Sequence, residues 1–207
     1  MRKLFYLMGK SASGKDTLYR MLLSDPSLAL CPFVIYTTRP MRDHEREGVE
    51  YHFTDENGLK ALEEAGRVIE RRTYDTVHGP WHYFTVDDGL MDEEAGTDEE
   101  EPADLLGIGT PKSFVQVKAY FGEDRVIPLY VDVPPEIIRK RALEREMAQE
   151  VPKLEEMERR LAADEIDFAP EKLAEAGIRV FYDNSKAPEE TFENMRAAVL
   201  KEKAGPV

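Results

Sequence analysis

The stretch MGKSASGKDT, from Met8 to Thr17, follows a short apolar run and contains the spacing GxxxxGK. The next segment has apolar residues at helical spacing, so strand, loop and helix follow one another. In such a loop, glycines let successive amide N–H groups point inward, and the helix N-terminus adds the positive end of its dipole. We therefore predict a phosphate-binding loop, rather than an ordinary strand-to-helix turn, with Lys15 reaching the outer phosphates. The residues predicted to contact phosphate are Gly9, Ser11, Ala12, Ser13, Gly14, Lys15, Asp16 and Thr17.

The residue after Lys15 is Asp16, where this motif usually carries a hydroxyl that contacts magnesium, and the hydroxyl comes at Thr17. Magnesium keeps much of its water shell in proteins, so either side chain is a candidate to hold the ion through water. The alternative is that Asp16 only stabilises the first helical turn. The sequence therefore leaves the metal ligands open.

Alternating strand and helix patterns predict the fold class. Short apolar runs bounded by turn residues predict buried strands at 3–8, 105–109, 126–133 and 179–182. Helical patterns lie at 16–23, at 112–121 between Thr110 and Gly122, from Pro134 or Pro135 to about 150, from Pro152 to about 166, and from Pro188 onward. This alternation predicts an α/β fold in which helices flank a parallel sheet.

The segment 34–88 interrupts that alternation with short Thr-, Tyr-, Phe- and Val-rich pieces around one helical pattern at 56–65, closed by Gly66. We predict an inserted, mixed α+β lobe at 34–88, and a core built from 1–33 and 89–207.

Composition restricts the function classes. A net charge of −14 argues against a nucleic-acid surface, and no apolar run approaches the 18 residues of a membrane span. The first apolar run is too short for a signal peptide, and the single Cys31 excludes an internal disulfide, so a cytoplasmic protein is expected. Cys31 itself is expected to be a small core residue. The acidic stretch 91–104 is predicted to be a solvated surface insertion.

A second cluster lies in YTTRPMRDHEREGVEYHF, from Tyr36 to Phe53. Arg39 and Arg42 are three residues apart, and arginine forks give directional, bidentate contacts to phosphate oxygens. Tyr51 can add a hydroxyl donor. The cluster therefore suits a second anion, although a charged surface loop neutralised by its own glutamates explains the charge pattern equally well.

Together the two motifs resemble those of the guanylate kinases, the P-loop enzymes that transfer the γ-phosphoryl group of ATP to GMP. The family segment TTRxPRxxExxGxxYxF is similar to TTRPMR with Glu45, Gly48, Tyr51 and Phe53 at close to family spacing. The resemblance continues through FTDENGLKALEEAGRVIE, RALERE and ERRLAADEIDF, and so covers nearly the whole chain.

The resemblance implies ATP and Mg²⁺ as cofactors, GMP as the acceptor, and roles for individual residues. Arg39, Arg42 and Tyr51 would hold the acceptor phosphate, while Thr38 and Glu70 would face the base. The family's second phosphate-binding tyrosine falls within GPWHYFT, where Tyr83 fits best on chemistry, with Trp81 and His82 as alternatives. A lid at about 135–160 and the helix behind it would contribute Arg141, Arg145 and Arg160, unless these belong to a solvated helix with salt bridges. Lys15, Arg39 and these three arginines are the predicted catalytic residues, and Asn184 would lie on the adenine side.

One strand departs from the family pattern. It usually reads like LLDIDxQG, whereas this chain has LLGIGTPKSF, with Gly107 and Gly109 in place of acidic residues. Three functions therefore stay open: a kinase of GMP, a kinase of the same fold for another phosphorylated small molecule, and a non-catalytic binding module. The sequence does not indicate an oligomeric state.

Overall fold

The computed structural model describes residues 1–76, 79–92 and 103–205 of the 207-residue chain. The strands are β1 (Leu4–Gly9), β2 (Leu30–Phe33), β3 (Tyr36–Thr37), β4 (His52–Phe53), β5 (Val68–Thr76), β6 (Gly79–Val86), β7 (Asp104–Gly109), β8 (Val126–Asp132) and β9 (Phe181–Asp183). The helices are α1 (Lys15–Ser24), α2 (Glu56–Glu64), α3 (Pro111–Phe121), α4 (Pro135–Met147), α5 (Leu154–Asp167), α6 (Pro170–Glu175) and α7 (Pro188–Ala204).

A five-stranded parallel sheet in the order β2-β7-β1-β8-β9 forms the core. All six residues of β1 are buried, because helices cover both faces of the sheet. Tyr6 packs with Phe114 of α3 on one face, and Leu7 packs with Leu18 of α1 on the other. The predicted parallel α/β sheet flanked by helices is therefore confirmed. The loop predicted to bind phosphate follows directly from Gly9, at the end of the central strand β1.

A second sheet contains four strands in the order β4-β3-β6-β5. Its longest pairing is antiparallel, between β5 and β6, while β3 and β4 are parallel. Leu59 of α2 packs with Phe84 and Val86 of β6 in a small core of their own. Asp55 caps α2 by accepting a hydrogen bond from the Gly58 amide at 2.8 Å, as helix N-caps commonly do.

Most predicted boundaries lie within a few residues of the observed ones. Thr110 caps α3 in a reciprocal pair with Ser113, and Gly122 follows the helix, as predicted. Two elements were missed, β2 and the short helix α6. The β2 sequence LCPF contains a proline, which sheets tolerate at an edge, and β2 is an edge strand. The expectation that Cys31 lies in the core is wrong, because the residue is exposed on this edge strand.

The predicted acidic surface insertion lies largely outside the described residues, at 93–102. The residues on either side of it are anchored through their carbonyl oxygens. The Arg2 guanidinium donates to the carbonyls of Leu90 and Ala103, and Arg125 donates to that of Met91. In the described part of the chain, no helix is both long and apolar enough to cross a bilayer.

Candidate active site

A cavity of about 470 Å³ lies between the end of β1, the β5–β6 face and α5. Residues from both predicted anion sites line it. Those predicted from the sequence are Gly9, Ser11, Lys15, Arg42, Tyr51, Tyr83 and Arg160. The other predicted site residues do not line the cavity. Some residues that do line it, such as Arg72 and Arg159, were not predicted from the sequence.

The loop at the end of β1 has the conformation that its sequence suggests. Gly14, which precedes α1, has a φ of 85°, in the left-handed region that favours glycine. A Cβ at Gly9 would lie 2.7 Å from the Ser13 hydroxyl oxygen, so a side chain there would displace the loop. The Asn184 amide donates to the Ser13 carbonyl at 2.8 Å and ties the loop to the end of β9. Both glycines therefore serve the tight turn around the loop.

One loop amide already binds a carboxylate. The Ser11 N–H donates to Asp164 of α5 at 2.6 Å, and the neighbouring Lys10 ammonium pairs with Glu165 at 2.7 Å. Lys15 itself is within 3.7 Å of the Asp16 carboxylate. The loop therefore stabilises an anionic group through a backbone amide, as phosphate-binding loops do.

The candidate magnesium ligands are at the mouth of this loop. The Asp16 carboxylate is 72% exposed beside Lys15, and Thr17 is exposed next to it. Among the described residues, no three His, Cys, Asp or Glu side chains are grouped as a metal cage. This donor set fits an ion held mostly by phosphate and water, with Asp16 or Thr17 contributing through water.

The two arginines predicted to hold the acceptor phosphate have different surroundings. Arg39 is 3% exposed, and its guanidinium pairs with Glu45 at 2.7 Å and packs over the Tyr51 ring. The hydrogen bond from Arg39 lowers the pKa of Glu45, so this buried pair stays ionised at neutral pH. Arg42 is exposed and lines the cavity, while its backbone N–H donates to Glu45 at 2.9 Å. Glu45 thus bonds to the Arg39 side chain and to the Arg42 backbone, and so stabilises the loop that carries both arginines.

Two predicted tyrosines meet at the cavity wall. The rings of Tyr51 and Tyr83 are 5.5 Å apart in an edge-to-face arrangement, and burial raises the pKa of Tyr51. Strand alternation along β6 directs Trp81 and Tyr83 to the cavity side. His82 faces the other way, where it bonds to Thr73 at 2.8 Å. Of the three alternatives for the second tyrosine position, His82 does not line the cavity.

The two residues predicted to face the base are engaged within the protein. The Thr38 hydroxyl accepts from the His82 N–H at 3.0 Å and does not line the cavity. The Glu70 carboxylate is completely buried and accepts from Arg72 at 3.1 and 3.2 Å and from the Thr85 hydroxyl at 2.8 Å. Arg72, which the sequence analysis did not single out, lines the cavity in front of Glu70.

Of the predicted lid arginines, only Arg160 lines the cavity. It lies 3.5 Å from the buried Glu146 carboxylate. Arg145 is exposed, and Arg141 approaches the carbonyls of Ser185 and Lys186 at 3.4 and 3.5 Å. Arg159, which was also missed, lines the cavity beside Arg160. Its position next to a predicted arginine was the available signal, but neighbouring residues on a helix point in different directions, so the sequence did not indicate that both reach the cavity.

Gly107 and Gly109 lie on β7, beside β1. A Cβ at Gly109 would lie 2.2 Å from the Tyr6 hydroxyl oxygen, and one at Gly107 would lie 3.2 Å from the Phe33 ring. Tyr6 donates to the Ser113 hydroxyl at 2.9 Å. The tyrosine of β1 therefore fills the space that an acidic side chain at position 109 would need.

Comparisons with known proteins agree with this architecture. Residues 1–80 match the family model described as guanylate kinase. The guanylate kinase of Sphingopyxis alaskensis is 31% identical over 77% of this chain and 60% of its own length, and that of Salinibacter ruber is 33% identical over 64% and 65%. The guanylate kinase of Bacteroides thetaiotaomicron is 28% identical over 97% of this chain and 91% of its own.

The chain thus spans less than two thirds of the length of the Sphingopyxis and Salinibacter relatives that it matches. In fold, it resembles the crystal structure of guanylate kinase from Anaplasma phagocytophilum, with a TM-score of 0.66, 20% identity, and coverage of 97% of this chain and 86% of the other. The family model matches residues 1–80, the related sequences are those of guanylate kinases, and the solved structure shares the fold, so the chain is similar to the guanylate kinases.

Proposed function

We propose that this protein catalyses ATP-dependent phosphoryl transfer to a nucleoside monophosphate, with GMP converted to GDP as the first reaction to test. One observation carries the proposal: a single cavity is lined by both Lys15 of the phosphate loop and Arg42, Tyr51 and Tyr83 of the acceptor side. Two anion sites that share one cavity can bring a donor phosphate and an acceptor phosphate into line.

The proposed chemistry follows from charge. An oxygen of the acceptor phosphate attacks the γ-phosphorus of ATP, the bond to the β-phosphate oxygen breaks, and ADP leaves. Repulsion between the two polyanions is offset by Lys15, Arg42 and Arg160, so catalysis rests on positioning and electrostatics. Magnesium, when bound, would neutralise charge on the β- and γ-phosphates.

The domain assignment is part of the same proposal. Residues 34–88 would be the acceptor lobe, since β3 to β6 and α2 lie there, and 1–33 with 89–207 would be the core. The helices α4 and α5 would form the lid. Arg141 and Arg145 would reach the phosphates only if α4 moved toward the cavity, since neither lines it here.

A second candidate function has its own support. The Glu70 carboxylate is already satisfied by Arg72 and Thr85, and Gly109 has no side chain to replace it. An acceptor other than GMP, such as another nucleotide or a sugar phosphate, would fit a cavity wall whose Glu70 carboxylate is already bonded. A binding module without activity is disfavoured because the donors for both phosphates are present.

The test is an ATP-coupled assay with GMP, dGMP, AMP, CMP, UMP and ribose 5-phosphate as acceptors. We expect turnover with a purine monophosphate, and a loss of at least about 10²-fold in kcat/KM for Lys15→Ala, because one preorganised donor to developing charge contributes that much. Lys60→Ala is the matched control, since Lys60 is 74% exposed on α2 and does not line the cavity.

Two results would reject the kinase assignment. Folded protein that turns over none of these acceptors would leave the binding module as the remaining function. Wild-type turnover by Lys15→Ala, with Lys60→Ala also unchanged, would remove the phosphate loop from the mechanism.

A further inference from the structure

Arg72 and Glu70 form a charge pair behind the cavity wall, and the two members are unequally accessible. The Glu70 side chain is 0% exposed, whereas that of Arg72 is 11% exposed and lines the cavity. Both carboxylate oxygens of Glu70 accept from Arg72, and one also accepts from Thr85. The group that a bound molecule meets at this point is therefore a guanidinium, not a carboxylate.

The Arg72 guanidinium is charged and held in place by hydrogen bonds. Although burial opposes it, attraction to Glu70 raises the pKa of Arg72, so the guanidinium keeps its proton throughout the physiological range. Releasing Glu70 to bind a ligand would break two charge-assisted hydrogen bonds and leave Arg72 without its counterion, which is unfavourable in a buried site.

Position 109 of β7 supplies no second carboxylate. Position 109 is glycine, and the Tyr6 ring lies within 2.2 to 2.5 Å of where a Cβ would stand. Tyr6 is held there by its hydrogen bond to Ser113. Neither Glu70 nor position 109 therefore offers a free carboxylate to the N–H groups of a base. Of the carboxylates that line the cavity, Asp164 already accepts from the Ser11 N–H and Glu156 from Arg159.

Arg72 has N–H groups that are not bonded to Glu70. Its Nε and Nη2 bond to Glu70, and no residue within 1–76, 79–92 or 103–205 accepts a hydrogen bond from Nη1. Along β5, Arg72 shares its face with Tyr74, and across the ladder it is paired with Tyr83, which also lines the cavity. The free side of the guanidinium therefore borders the same space as the acceptor-phosphate residues.

We propose that Arg72 is a specificity-determining residue that selects the acceptor base through the base's hydrogen-bond acceptors, which for a purine are the O6 and N7 atoms of a 6-oxopurine. This inference rests on the proposed function. Arginine donates bidentately to O6 and N7 of guanine, whereas adenine presents an N6 donor in place of O6. The 2-amino group of guanine is not read at this wall, because it is a donor and the Glu70 carboxylate already accepts from Arg72 and Thr85.

Inosine monophosphate (IMP) distinguishes recognition of the base by Arg72 from recognition by the Glu70 carboxylate. It carries O6 and N7 as GMP does, but it lacks the 2-amino group. Recognition through Arg72 makes GMP and IMP nearly equivalent and disfavours AMP. Recognition through Glu70 would instead reject IMP strongly, because a buried carboxylate partner would be left unpaired.

The experiment measures Kd by calorimetry, and kcat/KM with ATP, for GMP, IMP and AMP with the wild-type protein, with ribose 5-phosphate as a ligand that has no base. We expect GMP and IMP to agree within about threefold, and both to exceed AMP by roughly 10- to 100-fold, the usual range for one bidentate base contact. A GMP preference over IMP of 100-fold or more would overturn the proposal. So would IMP binding no tighter than ribose 5-phosphate.

A variant pair tests the residue itself. Arg72→Lys keeps the charge beside Glu70 and loses the fork, so the ratio of IMP to AMP affinity should fall at least about tenfold toward unity. Arg71→Lys is the control, since Arg71 is 44% exposed and pairs with Glu63 at 2.8 Å outside the cavity. A structural role would weaken both nucleotides equally, and an unchanged IMP to AMP ratio in Arg72→Lys would overturn the proposal.

Measurements of nucleotide binding distinguish the proposed kinase function from the proposed role of Arg72. If the expected affinity order is found without phosphoryl transfer to any acceptor, the kinase function fails and the role of Arg72 stands. If transfer to GMP proceeds but IMP is rejected, the kinase function stands and the role of Arg72 fails. Absence of binding by all three nucleotides contradicts both.

Discussion

Arg39 and Arg42 are three residues apart in one loop, yet substitution should affect them in different ways. Arg42 is exposed at the cavity, so Arg42→Ala should raise the KM for the acceptor roughly 10- to 100-fold without changing the melting temperature, because hydrogen bonds to a charged group contribute about 1.5–3 kcal/mol. Arg39→Ala should destabilise the fold by about 1–3 kcal/mol, because Glu45 loses the guanidinium and keeps the Arg42 backbone N–H as a partner.

Steady-state kinetics and thermal unfolding of both variants check this division. Arg46→Ala is the matched control, since Arg46 is an exposed arginine of the same loop that does not line the cavity. An Arg39→Ala protein as stable as the wild type, or an Arg42→Ala protein with an unchanged KM, would contradict it.

At the scale of the element, Glu146 joins two helices. It is 2% exposed near the end of α4, it accepts from the Lys153 N–H at 2.7 Å just before α5 begins, and it lies 3.5 Å from Arg160. We expect Glu146→Ala to destabilise the protein by about 1–3 kcal/mol, because the Lys153 amide loses its partner. Amide exchange across 148–160 should accelerate, and kcat should fall as Arg160 loses its position.

Hydrogen exchange with mass spectrometry, combined with kinetics, measures both effects. Glu146→Gln retains a carbonyl oxygen for Lys153 and should fall between the alanine variant and the wild type. Glu144→Ala, on the exposed side of the same helix, should behave as the wild type does. Unchanged exchange across 148–160 in Glu146→Ala would show that the helices are held together by other contacts.

Across the whole molecule, the sequence predicted what depends on local pattern. Apolar runs located four of the five core strands, and caps such as Thr110 located helix ends, because these signals act over a few neighbouring residues. The placement of Thr85 beside Glu70 and that of Tyr6 against Gly109 could not be predicted, because they depend on the register of β5 with β6 and on contacts between strands distant in sequence. Edge strand β2 was missed since its proline obscures the pattern.

Because Tyr6 of the central strand β1 is buried, we expect the free energy of unfolding to depend on pH in the alkaline range. Burial raises the pKa of Tyr6 to about 12 from an ordinary value near 10, so the folded state holds this proton more tightly than the unfolded state does. Its contribution is complete below about pH 10 and is lost as pH rises toward 12, and over that window one proton changes the free energy of unfolding by about 1.4 kcal/mol per pH unit.

Tyr6→Phe should therefore flatten the dependence of unfolding free energy on pH above about 10 by close to that slope. Urea titrations followed by circular dichroism at several pH values from about 9 to 11.5 measure it. Ser113→Ala separates the two parts of the interaction: it removes the hydrogen-bond partner of Tyr6 and should lower stability at every pH, while the ionisable group and hence the slope remain. If Tyr6→Phe keeps the wild-type slope, the alkaline transition belongs to other groups, such as Tyr19, whose pKa is also raised to about 12 by burial.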